Sequence, residues 1–352
     1  AYYNLGSSLQ EQGRLDEALL SYKNALVYQP KYIEALHNVS IVQRCMDDLA
    51  AEVSSLEKIT LIDPENYGIR AFVNLAICSF LGDDLEGSKN HLIAATKIEE
   101  RTDPESKNDK TYWKYLSRIL DWHELNFPNG CGQKSDQALF IIGESHSLAV
   151  HRLRVEKHDS VFLCKAKLIK GCMQWHLGNS DRNIYKYQFE RIFSTIPKSS
   201  YVLLVIGEID CRLDSGIIEH KSKFPGREEE VIITKTIENY LSYIVKLNLN
   251  YKHAIIIQGV PCPNIDTASF PEKKVAQLID VIKKFNFELE DKSRQNGFHF
   301  LDVYKMTDRG DGLSNRKWHI DKHHLSPGGF MEAWRRYTKN RDHQRRSDAP
   351  AS

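Results

Sequence analysis

Apolar positions recur at three- and four-residue spacing through the first hundred residues, the period of helices with one buried face. Ala1, Asn4, Leu5, Gly6, Gly13, Ala18, Tyr22, Ala25 and Pro30 fall at the small, apolar and breaker positions of a helix-turn-helix unit. A step of 34 carries Ala1, Asn4, Leu5 and Pro30 onto Ala35, Asn38, Val39 and Pro64. A third copy holds Asn74, Leu75, Asp83, Leu92 and Ala95, but Asn38 to Asn74 is 36 positions, so two residues are inserted near Tyr67-Gly68. The insertion is expected in the turn between repeats. Gly6 and Ala18 are expected to let paired helices approach closely, with Leu5, Tyr22 and Ala25 buried against the next unit.

These positions resemble the tetratricopeptide repeat over residues 1–100. The resemblance implies a concave groove that docks a protein partner; the plain alternative is the end of an array packed on the next domain. Residues 101–136 are expected to hold a polar turn around Thr102-Asp103-Pro104, a capping helix from about Lys110 to Leu125, and a breaker-rich linker from Phe127 to Gly132. Tyr112, Tyr115, Leu116, Ile119, Leu120 and Trp122 crowd one side of that helix.

Beyond residue 137 the pattern changes to short β-branched runs alternating with helical stretches, the sign of a mainly parallel sheet wrapped by helices. Strands are predicted at Ala138–Ile142, Ser160–Cys164, Tyr201–Ile206, Ala254–Gln258 and Phe298–Val303, and helices near 146–156, 183–195, 228–247 and 272–295. Ligands of such sheets sit beyond the carboxyl ends of the strands.

Two segments there carry chemistry. Gly143-Glu144-Ser145 ends the first strand, where a serine exposes its hydroxyl and holds its N–H at a helix start; alternatively Ser145 is only an N-cap. Asp321-Lys322-His323-His324-Leu325-Ser326 places an acid three residues before a histidine, able to supply an imidazole base and the carboxylate that orients it. The alternatives are a solvated cap or a loose metal site of His319, His323 and His324. Gln258-Gly259-Val260-Pro261 and Asn264 are expected to line the crevice. Trp175, His176 and Trp318 are candidates for a sugar-stacking wall, or for ordinary packing.

The order of these blocks, with a glycine loop after the second strand and Gly207-Glu208-Ile209-Asp210 after the third, resembles the SGNH (GDSL-type) hydrolases over residues 137–337. The resemblance implies a three-layer α/β/α domain with Ser145 as nucleophile, His324 as base and Asp321 as its acid. It implies an oxyanion role for Gly171, with Gly178 as a rival, and places Gly207 and Asp210 at the site. Glu144 stands where the family has Asp, and Ile209 where it has an oxyanion-donating Asn. Loss of such a donor costs on the order of 2.7–4 kcal/mol. Arg212 is a candidate replacement, or an ion-pair partner of Glu208 or Asp210 that shapes the loop.

Composition changes this picture little. Of 352 residues, 41% are hydrophobic and 27% charged, and Lys+Arg 48 against Asp+Glu 47 leaves +1, with no field for nucleic acid. No apolar run is long enough to span a bilayer. Seven scattered cysteines without a C-x-x-C pair point to a reducing, cytoplasmic home, although the chain opens in mid-pattern at Ala1. The basic stretch from Arg335 to Arg346 reads as a helix end and frayed tail, with the domain expected to end at 340 and 341–352 unordered.

The sequence thus describes an α-helical array followed by an α/β domain. Its function is read as a serine esterase or O-acyltransferase that needs no metal or cofactor. The substrate is an acyl ester, a carbohydrate ester being one option, with a protein docked on the repeats. The competing readings are a non-catalytic scaffold bearing a degenerate hydrolase domain and a metal-dependent hydrolase on the His-rich loop.

Overall fold

The computed structural model describes residues 1–99, 107–127, 137–157 and 160–347, and the chain divides into two compact units. The predicted turn at 102–104 and most of the predicted linker lie outside the described residues.

The first unit is helical: α1 (Tyr2–Glu11), α2 (Leu15–Tyr28), α3 (Ile33–Cys45), α4 (Leu49–Ile62), α5 (Pro64–Leu81), α6 (Leu85–Glu99) and α7 (Lys107–Asn126). Helices α2, α4 and α6 begin at 15, 49 and 85, reproducing the steps of 34 and 36 read from the sequence. Gly6 lets α1 meet α2, since a Cβ there would stand 2.6 Å from the Tyr22 ring. Of the residues expected to bury, Tyr22 and Ala25 do, but Leu5 is half exposed; Ala18 is buried as well. Tyr67 and Gly68 lie inside α5, so the insertion lengthens a helix instead of the turn. Pro64 at the first position of that helix costs nothing, because its missing N–H would have no helical partner. Helix α7 packs on α5 and α6 through Tyr115, Leu116, Ile119 and Leu120.

Residues Ser180–Thr195 also belong to this unit, although they lie between two strands in the chain. Ile184 and Tyr187 pack on the cluster of Leu9, Leu15, Tyr22, Val39 and Val42, and the Cys45 thiol points to Gln188 Oε1 at 3.6 Å. The helical period alone predicts an element at 183–195, without showing which unit it serves.

The second unit is built on a six-stranded sheet: β1 (Gln137–Gly143), β2 (Arg154–Lys157), β3 (Ser160–Leu168), β4 (Tyr201–Val205), β5 (Ala254–Gln258) and β6 (His299–Leu301), in the order β2-β3-β1-β4-β5-β6. All pairs are parallel except β2 with β3. Val202, Leu203, Leu204 and Val205 are all buried in succession, and successive side chains point to opposite faces, so both faces of the sheet are covered. Helices α8 (Gln174–Gly178), α9 (Ile184–Thr195, of the first unit), α10 (Gly216–Lys223), α11 (Glu229–Asn248), α12 (Glu272–Gln295), α13 (Tyr304–Thr307) and α14 (Pro327–Ser347) complete the chain.

Two predicted elements differ. The helix expected at 146–156 is a 3-10 turn, Ser145–Val150, followed by the antiparallel edge strand β2, because Arg154, Val155 and Glu156 alternate and pair with Leu163, Phe162 and Val161. Residues 341–347, expected to be unordered, continue α14. Among the described residues, no helix is long and apolar enough to cross a membrane.

Candidate active site

The chain leaves β1 for its neighbour β3 and then crosses to β4 on the other side, so the carboxyl ends of β1 and β4 flank a topological switch point, where open α/β sheets bind ligands. Gly143 ends β1 against β4: a Cβ would meet the Val205 carbonyl oxygen at 2.3 Å, and the Glu144 N–H donates to that same oxygen. Glycine is required for the backbone to pass this close to β4. The turn sets Ser145 at the start of the 3-10 segment, where a first N–H has no helical partner.

The histidine arrives from the far end of the sequence on a small hairpin. Residues His319 and Leu325 bridge antiparallel, the Ile320 N–H donates to the His324 carbonyl, and the Ser326 N–H to that of Trp318. Asp321 sits at the tip and accepts from the backbone N–H groups of His323 and His324, each at 2.8 Å. Asn264 Nδ2 donates to the Asp321 carbonyl at 2.7 Å, so it steadies the hairpin.

Ser145 Oγ and His324 Nε2 are 2.7 Å apart, and His324 Nδ1 lies 2.9 and 2.8 Å from the two Asp321 oxygens. An ionised carboxylate only accepts, so Nδ1 carries the proton and Nε2 presents a lone pair to the hydroxyl. Burial pulls the His324 pKa below its ordinary value, against the Asp321 hydrogen bond that raises it. Burial pushes the Asp321 carboxyl up, but His324 and the backbone donors outweigh it and hold it well below the carboxylate range.

A second buried pair lies on the other side of the serine. Ser145 Oγ also donates toward Glu144 Oε2 at 2.7 Å, competing for the same hydroxyl proton, and His146 Nδ1 meets Glu144 Oε1 at 2.6 Å. His146 Nε2 donates to the His323 carbonyl at 2.9 Å, so both of its nitrogens act as donors and the ring is an imidazolium. Burial lowers its pKa, yet Glu144 overrides this and raises it to about 9. In the sequence Glu144 reads only as a mild change from Asp, and nothing there marks His146.

The remaining predicted residues divide. Gly171 adopts φ +70° in the turn after β3, whereas Gly178 is a packing glycine whose Cβ would strike the Tyr240 backbone at 2.9 Å. Gly207, at φ +147°, makes room for Gln174, whose amide donates to the Ile206 carbonyl. Both Asp210 oxygens accept from backbone N–H groups, of Gln174 and Trp175, so Asp210 fixes the start of α8. Burial raises its pKa to about 7.

Ile209 offers no donor, and Arg212 is tied to Glu208, with Nε at 3.0 and 2.8 Å and a terminal nitrogen at 2.6 Å. The ion-pair reading of Arg212 is therefore the one observed. Glu208 in turn lies 3.2 Å from His323 Nδ1. The His319/His323/His324 group does not converge, since His319 pairs with Ser314 and His323 with Glu208. Among the described residues, the group able to hold a metal is Glu144, His146 and His324. Trp175 meets His176 edge-on at 5.4 Å, and Lys317 Nζ lies over the Trp318 ring at 4.6 Å.

Glu208, Arg212 and His323 border a cavity of about 300 Å³ that is also lined by Val260, Leu278 and Ile282. It reaches the hairpin through His323, next in the chain to His324.

No protein-family model matches the chain, and no curated protein matches it. Solved structures do. They include a GDSL-like lipase from Bacteroides thetaiotaomicron (14% identical, TM-score 0.37, covering 64% of this chain and 97% of that one). An extracellular lipase from Streptomyces rimosus is similar at 13% identity and TM-score 0.36, covering 57% of this chain and 99% of that one. An acetyl-xylooligosaccharide esterase from Geobacillus is similar at 16% and 0.33, covering 58% and 94%.

Proposed function

We propose that the α/β domain is a serine-dependent acyl-ester hydrolase or transferase in which Ser145 is the nucleophile, His324 the general base and Asp321 the acid that orients it. The observation that carries this reading is the continuous contact from the Ser145 hydroxyl through His324 to Asp321.

In this mechanism Ser145 Oγ attacks the acyl carbonyl while its proton passes to His324 Nε2. The imidazolium so formed is stabilised by Asp321 and then protonates the departing alcohol oxygen, leaving an acyl-serine. The oxygen of water, or of an acceptor hydroxyl in a transfer reaction, then attacks the acyl-serine carbonyl as its proton passes to His324, and His324 returns that proton to Ser145 Oγ as the acyl–Oγ bond breaks. The backbone N–H groups of Ser145 and Gly171 are assigned to the developing oxyanion, Gly171 by the family resemblance; Ile209 supplies nothing, so the site is expected to be slow for its type.

The cavity beside His323 is assigned to the substrate's apolar part. A carbohydrate-borne ester remains one option for the rest. Protein docking on the repeats is supported by their 34-residue period, and a cytoplasmic setting by six buried free thiols among the described residues.

Hydrolysis of short p-nitrophenyl esters tests the reading. Turnover by the wild type that is lost in both Ser145→Ala and His324→Ala supports it. Folded wild-type protein without turnover on any ester favours the scaffold alternative.

A further inference from the structure

Glu144, His146 and His324 each offer one ligand atom, and these atoms all lie within 4.8 Å of one another. All three residues are buried. Their surroundings do what protein metal sites do to histidine ligands, which is to anchor the ring nitrogen that faces away from the ion. His324 is anchored through Nδ1 on the Asp321 carboxylate, at 2.8 Å, which leaves Nε2 facing the cluster. His146 is anchored through Nε2 on the His323 carbonyl, at 2.9 Å, which leaves Nδ1 facing the Glu144 carboxylate. Two imidazoles and one carboxylate are a donor set suited to zinc.

We propose that these three residues form a divalent-cation site, of zinc preference, whose occupation switches the Ser145 centre off. The cation takes the place of the proton between Glu144 Oε1 and His146 Nδ1, which is released to solvent. Those two atoms, 2.6 Å apart, have to separate as each moves to about 2.0–2.2 Å from the metal. The inhibitory effect comes from one shared atom: His324 Nε2, the lone pair that Ser145 needs at 2.7 Å, becomes a ligand. Cation binding itself is independent of the hydrolase reading; only its effect on turnover rests on it.

The experiment uses the full chain stripped with a chelator and titrated with zinc chloride against a chromophoric zinc competitor, with magnesium chloride as the control ion. The expected result is uptake of one zinc per chain by the wild type and equally by Ser145→Ala, which lacks the nucleophile and keeps every ligand. Binding is expected to weaken at least tenfold in Glu144→Gln and in His146→Gln, with folding of each variant checked by circular dichroism. Ester turnover of the wild type should fall in step with zinc occupancy and return on adding EDTA. Folded wild-type protein that takes up no zinc overturns the site, whatever the variants do, and so does undiminished binding in a folded His146→Gln. Stoichiometric zinc uptake by a protein with no esterase activity would keep the site and remove the hydrolase reading, so the two failures are distinguishable.

Discussion

His146 and His324 come from opposite ends of the α/β sequence and lie with ring centroids 4.6 Å apart. One is a cation held by Glu144; the other, in the proposed mechanism, is the neutral base of Ser145. Burial first, and the positive charge of His146 in addition, lower the His324 pKa. Since the base works unprotonated, activity should persist below pH 6.5, with the acid limb of kcat/KM under the ordinary histidine value. His146→Gln removes the cation and leaves Glu144 unneutralised. Both changes favour protonation of His324, so the acid limb should move to higher pH. A pH–rate profile of wild type and variant checks the direction.

Asp321 fixes the tautomer of His324 and accepts two backbone hydrogen bonds at the hairpin tip. Asp321→Asn keeps the volume but can present an N–H to Nδ1, which favours the wrong tautomer. Turnover should fall by roughly 10³–10⁴-fold with KM little changed, as steady-state kinetics would show.

Chain-length selectivity offers a test of the cavity. Leu278 and Ile282 line it on α12, away from the Ser145–His324 contact. Leu278→Trp should fill much of the space, cutting kcat/KM for long-chain esters by about tenfold or more, on ~0.8 kcal/mol per buried methylene. Acetyl ester hydrolysis should be nearly unaffected. A series of p-nitrophenyl esters from two to ten carbons reads this directly.

The parts of the molecule legible in the sequence are those set by local rules. The 34-residue step matches the helix starts at 15 and 49, and the β-branched runs place five of the six strands within a few residues. Strand β2 escapes because four residues at an edge carry too few periods to tell from the end of a helix. Ser145, Asp321 and His324 stand out by motif order, since G-x-S and D-x-x-H each bring their chemistry in one short segment. The Glu144–His146 pair does not, because its significance is a charge balance inside a buried site, and neighbours two apart in sequence give no sign of pairing. Arg212 could be placed near the crevice, but only coordinates show both of its engaged nitrogens on Glu208.

The reactivity of one hydroxyl decides the catalytic reading, and labelling with a fluorophosphonate probe and peptide mass spectrometry measures it most directly. The expected result is one modified site, at Ser145, absent in Ser145→Ala and strongly slowed in His324→Ala. A folded wild-type chain that remains unlabelled, or label that persists in Ser145→Ala, would contradict it.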